Sequence, residues 1–69
     1  MKLSARNQIK GSVKKVQIGA VNCEVVIEIA PGIEITSIIT KTSAESLGIG
    51  IGKEVYTIIK ATNVILGID

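Results

Sequence analysis

Two short segments near opposite ends of this chain carry the residue types that grip an anion. Ser4-Ala5-Arg6 and Lys60-Ala61-Thr62 each set a cation beside a hydroxyl and a small residue, and each lies next to an apolar, strand-like run. Arg6 and Lys60 bring charge and N–H donors but no acceptor, Ser4 and Thr62 bring hydroxyls, and Ala61 lets a ligand approach the backbone N–H. A fully deprotonated oxyanion, which only accepts hydrogen bonds, matches such a set. The plainer reading is that these are solvated surface charges and strand-edge hydroxyls, the usual fate of isolated cations on small proteins.

The elements that must position these residues can be read from periodicity. Gln8 to Ile18 is strand-like but slips: Ile9, Gly11 and Val13 share one face, whereas Val16 and Ile18 fall on the other, which calls for a β-bulge near Lys14-Lys15. Gly19-Ala20 makes the turn. Val21 to Ala30 alternates, with Val21, Cys23, Val25, Ile27 and Ile29 on one face, so Cys23 reads as a small core residue. Pro31-Gly32 is a strong turn signal, and Ile33 to Thr40 forms the third strand. Thr42-Ser43-Ala44-Glu45 has the spacing of a capping box, with Leu47 as apolar anchor and Gly48 as terminator, which predicts one or two helical turns.

Gly48-Ile49-Gly50-Ile51-Gly52-Lys53 is glycine-rich but lacks the spacing and the following helix of a phosphate-binding loop; it leads instead into a fourth strand at Val55 to Ile59. A fifth strand is expected at Val64 to Ile68 after the short Ala61-Thr62-Asn63 link. The expectation is an all-β domain spanning residues 1–69, a five-stranded OB-like barrel with one short helix between strands three and four.

Composition narrows what such a domain does. In 69 residues there is one cysteine and no histidine, so neither an internal disulfide nor a Cys/His zinc site is available to staple a marginal core. Hydrophobic residues make up 46% of the chain with a single aromatic, Tyr56, so Ile and Val must build the core and oligomerisation must supplement it. The absence of a signal-peptide h-region or a bilayer-length apolar run predicts a cytoplasmic protein with no membrane association. A net charge of +2 with interspersed acids gives no basic face for phosphate backbones, and one aromatic gives no stacking platform. Glu24, Glu28, Glu34, Glu45, Glu54 and Asp69 are spread apart rather than paired, and no nucleophile sits beside a base, so no enzyme chemistry is indicated.

The segments SARNQIKG (4–11), GAVNCEVVIEI (19–29), ITSIITKTSAESLG (35–48) and GKEVYTIIKATNVILGID (52–69) resemble the molbindins, the molybdenum-pterin-binding protein family, and the molybdate-binding domains of related regulators and transporter ATPases. The resemblance covers essentially the whole chain. It implies an OB-like barrel that assembles into a homo-oligomer, a hexamer built as a trimer of dimers. The implied ligand is molybdate or tungstate, or a molybdopterin species, held between subunits without catalysis and without direct protein ligands to the metal. By resemblance the oxyanion contacts are Ser4, Ala5, Arg6, Lys60, Ala61 and Thr62 of one chain with Thr40 and Ser43 of a neighbour. Thr40 and Ser43 also read simply as caps of the short helix. A second oxyanion site on a three-fold axis would use Gly19, Ala20, Val21 and Asn22. Cys23 departs from the alanine expected there, and its apolar setting favours a structural role over metal ligation. The competing classes are a nucleic-acid-binding OB module and a detached regulatory domain of a molybdate-responsive protein.

Overall fold

The computed structural model describes residues 1–69. Four strands form one antiparallel sheet in the order β3-β2-β1-β4: β1 (Asn7–Ile18), β2 (Asn22–Ala30), β3 (Ile33–Thr40) and β4 (Glu54–Ile59). A short helix, α1 (Lys41–Leu47), joins β3 to the loop before β4. The sheet curls into a half-barrel, with β3 and β4 as its two unpaired edges.

β1 is shared between two ladders. Its first half, Asn7 to Ser12, pairs with β4, and its second half, Ser12 to Ile18, pairs with β2. The bulge expected near Lys14-Lys15 is present: Val13 faces Ile27 and Lys15 faces Val26, leaving Lys14 as the extra residue. That slip returns Val16 to the concave face, where it packs against Val13. Lys14 reaches Glu28 at 3.6 Å, placing a cation beside Glu28 and Glu34, two acids that sit directly opposite one another in the β2–β3 ladder.

At Gly11 the backbone of β1 runs close against β2. A β-carbon built there would lie 2.7 Å from the Glu28 carbonyl oxygen and 2.7 Å from Ile27 Cγ2, so the strand crosses its neighbour with room for hydrogen alone. The β2–β3 hairpin turns at Pro31-Gly32 as the sequence predicts, Gly32 taking φ +75°.

Two expectations need correction. The helix is capped two residues earlier than the Thr42–Glu45 spacing implied, at the Thr40 that the sequence also offered as a cap. Thr40 is the N-cap, and its hydroxyl accepts from the Ser43 N–H at 3.0 Å, so a backbone-to-hydroxyl bond replaces the reach of a glutamate. Gly48 does end the helix, at φ 64°, with Gly48 N–H donating to Glu45 O and Ile49 N–H to Ala44 O.

The second correction is the fifth strand. Residues 64–68 form no ladder, and Ala61–Asn63 is a 3-10 turn, so one chain has four strands and an open sheet rather than a closed five-stranded barrel. A β-strand exists only with a hydrogen-bonding partner, and the open edges of this chain do not supply one to its C-terminus. The segment stands clear of the body, with Ile65 93%, Leu66 89% and Ile68 101% exposed.

The core is correspondingly thin. Only Val13, Cys23, Val25 and Ile27 are buried, flanked by Val16, Ile29, Ile39, Ala44, Ile49 and Val55. Cys23 is thus a core residue, as read from its strand face.

Candidate functional site

The last rung of the β1–β4 ladder pairs Asn7 with Ile59. Ser4-Ala5-Arg6 ends immediately before that rung and Lys60-Ala61-Thr62 begins immediately after it, so the fold brings the two donor-rich segments of the sequence to one corner of the sheet. Arg6 and Lys60 are the next residues beyond that rung, one on each strand, Arg6 in a bend and Lys60 in extended backbone. Neither residue belongs to the two ion pairs of this chain, Lys10–Glu54 and Lys14–Glu28. The corner is a concentration of uncompensated positive charge.

Backbone donors add to it. Lys60 leaves β4 in extended geometry and the chain tightens into the 3-10 turn, closed by Asn63 N–H to Lys60 O at 2.8 Å and Val64 N–H to Ala61 O at 3.3 Å. The first N–H groups of such a turn have no partner within it, and those of Ala61 and Thr62 are absent from the turn and loop hydrogen bonds. Arg6, Lys60, Ala61, Thr62 and Ser4 are exposed and Ala5 is half-buried, so the donors face outward. None of the six side chains is acidic, and the Ser4 and Thr62 hydroxyls, which can both donate and accept, are the only side-chain acceptors among them.

Two amides follow directly on Arg6. Asn7 Nδ2 donates to the Ile59 carbonyl at 3.1 Å, and Gln8 Nε2 donates to the Ala5 carbonyl at a longer 3.4 Å. Sequence reasoning assigned Asn7 no role. The available signal was a strand-disfavoured Asn at a strand's first position, beside the donor segment.

Thr40 and Ser43 lie elsewhere. Thr40 pairs with Asn22, and Lys41 N–H donates to Val21 O at 2.7 Å, so the helix start abuts the β1–β2 turn at Gly19, Ala20, Val21 and Asn22. That end lies at the opposite end of the 12-residue β1 from the Arg6–Lys60 corner, in a chain whose longest extent is 35 Å. A single chain therefore does not unite the eight residues of the expected first site. Thr40 Oγ1 donates to Ser43 Oγ at 2.8 Å while accepting from the Ser43 N–H, which leaves the Ser43 hydroxyl proton free to point outward. At the β1–β2 turn, Gly19 N–H donates to Asn22 O at 2.8 Å, and an added β-carbon on Gly19 would meet that same oxygen at 2.9 Å. Glu24 lines the shallow depression beside this turn together with Gly19, Asn22 and Ile38, and its carboxylate opposes an anion there.

Residues 3–66 match the family model described as the TOBE domain. The chain is 50% identical over 66 residues to molybdenum-pterin-binding protein 3 of Clostridium pasteurianum, covering 96% of this chain and 97% of that one. It is 44% identical to a probable molybdenum-pterin-binding protein of Haemophilus influenzae, over the full length of both. Among solved structures it is similar to the cytoplasmic molybdate-binding protein ModG with molybdate bound, at a TM-score of 0.94 and 46% identity, covering all of this chain and 49% of that one.

Proposed function

This chain belongs to the molbindin family of TOBE-domain, molybdenum-pterin-binding proteins, and on that premise we propose that it binds molybdate or tungstate without catalysis, storing and buffering the oxyanion in the cytoplasm. The observation that carries this reading is the Asn7–Ile59 rung, which sets Ser4-Ala5-Arg6 against Lys60-Ala61-Thr62 and gathers two cations with no acidic partner. Two cations and free backbone N–H groups without an acidic side chain favour a bare oxyanion over a pterin ring, whose own N–H groups require acceptors that only the Ser4 and Thr62 hydroxyls offer here. Thr40 and Ser43 of a neighbouring copy complete the site, since in one chain they lie at the far end of β1. A second, weaker oxyanion site at Gly19, Ala20, Val21 and Asn22 belongs to the same proposal, with Glu24 working against it.

Assembly is integral to this function. The chain exposes 5423 Å², whereas a compact monomer of its 7.2 kDa exposes roughly 4,100 Å². The excess, roughly 1,300 Å², is larger than the ~800 Å² that one partner buries in a standard interface. An apolar groove along the open side of the half-barrel, lined by Val25, Ile27, Ile39, Leu47, Ile49 and Val55, and the bare Ile65-Leu66-Ile68 segment supply that surface. Further copies of the chain cover it, in a hexamer built as a trimer of dimers. Sedimentation at micromolar concentration is expected to show the oligomer alone; a stable, folded monomer under those conditions removes this part of the proposal.

Isothermal titration with molybdate, tungstate, sulfate and phosphate tests the binding itself. Hydrogen phosphate is disfavoured because one of its oxygens carries a proton that the Arg6, Lys60 and backbone N–H donors cannot accept, leaving only a hydroxyl to take it. Sulfate is rejected by size, its smaller tetrahedron leaving donors of two clamped subunits out of reach. Molybdate and tungstate are expected within about tenfold of each other and sulfate weaker by at least ~100-fold, equivalent to ~2.7 kcal/mol. Equal sulfate and molybdate affinity, or loss of all binding in moderate salt, reduces the corner to an ordinary basic patch.

A further inference from the structure

We infer that Asn7 is a positioning residue for the oxyanion: its side-chain amide, bonded to the Ile59 carbonyl, holds the two donor segments at the separation the anion requires. The inference rests on the molybdate-binding reading above and adds a residue that touches no ligand.

The geometry supports it in three ways. Asn7 occupies the terminal rung, where a ladder frays first because pairing continues on one side only. Beyond that rung the next residues on the two strands, Arg6 and Lys60, are both cationic and continue no pairing that would hold it closed. Across it, the Asn7 Nδ2 to Ile59 O bond at 3.1 Å joins two residues 52 apart in sequence, in a half-buried setting where competition from water is reduced. It ties the residue after Arg6 to the residue before Lys60, so any change in its length shifts both cations relative to each other. Gln8 works on one segment only, through Ala5, and its 3.4 Å contact is fully exposed.

A plain structural role, in which Asn7 merely satisfies the carbonyl at the strand end, predicts a change in stability with no change in how the protein ranks anions. A positioning role predicts that the ranking changes, because sulfate and molybdate differ in size and a looser corner no longer favours the larger ion. Asn7→Leu keeps the side-chain bulk and removes the donor. Asn7→His restores a donor, its Nδ1–H standing near the place of the amide nitrogen. Titrations of the assembled variants with sodium molybdate and sodium sulfate, alongside Arg6→Ala and Lys60→Ala, read the outcome.

Asn7→Leu is expected to weaken molybdate binding about tenfold and to shrink the molybdate-to-sulfate ratio by a similar factor, while Asn7→His keeps both within about threefold of the parent. Should Asn7→Leu fail to fold, Asn7→Ala removes the same donor without bulk and carries the same expectation. Parental affinity and ratio in the donorless variant, with binding weakened in Arg6→Ala and Lys60→Ala, overturns the role of Asn7 and leaves the site standing. Parental binding in all of these variants overturns the site as well.

Discussion

Replacing Arg6 and Lys60 together by alanine is expected to lower molybdate affinity by at least about 100-fold while leaving the assembled protein as stable to heat as the parent. Each cation offers a charge-assisted contact of roughly 1.5–3 kcal/mol, or about tenfold to a hundredfold in affinity, with the planar Arg6 fork able to bond two oxygens at once. The two side chains share one ligand, so their losses do not simply add, and the double variant sets a lower bound rather than a sum. Stability should hold because the two cations are exposed and lack acidic partners, so their removal breaks no ion pair and opens no cavity. Titration reads the affinity and thermal melting reads the fold. A double variant that binds molybdate like the parent, with its oligomer intact, places the site elsewhere.

Gly11→Val should prevent folding altogether. Propensity alone argues the reverse, since a β-branched residue suits a strand and glycine weakens one by roughly 0.5–1 kcal/mol. Sterics decide the sign here. The first added carbon meets the Glu28 carbonyl oxygen and Ile27 Cγ2 at 2.7 Å each, and one of these is backbone that moves only if β1 and β2 separate. Overpacking of this kind costs about 1–3 kcal/mol for one carbon, and valine adds two more to a domain with four buried residues. Gly50→Ala is the control: nothing lies within 4 Å of its added carbon, so it should be nearly neutral. Circular dichroism of Gly11→Val showing the parent's sheet signal and melting midpoint would refute the close-approach account.

Much of this architecture was legible in the residues. The failed alternation at Lys14-Lys15 announced the bulge, the alternation of β2 announced the buried face of Cys23, Val25 and Ile27, and Pro31-Gly32 announced the hairpin. These are signals written within a few residues of where they act. The capping-box spacing put the helix start two residues late because hydroxyls occur at Thr40, Thr42 and Ser43, and only the end of the β3 ladder at Thr40 selects among them. The fifth strand failed for a different reason. Val64 to Ile68 has the composition of a strand, but composition does not say whether its partner lies in the same chain. The candidate corner was half legible: the donor types stood out, whereas their adjacency depends on the Asn7–Ile59 register, a pairing of residues 52 apart.

The separation of Thr40 and Ser43 from the Arg6–Lys60 corner has a thermodynamic consequence. Under the proposed assignment no chain closes a site alone, so filling a site and holding two chains together are one linked equilibrium. Linkage is reciprocal: whatever factor the interface contributes to the grip on the anion, the anion returns to the interface. Loaded protein then resists dilution better than empty protein, and dilution far enough to part the chains releases the anion with them. A reservoir built this way releases its contents by coming apart, with no moving lid and no chemical step.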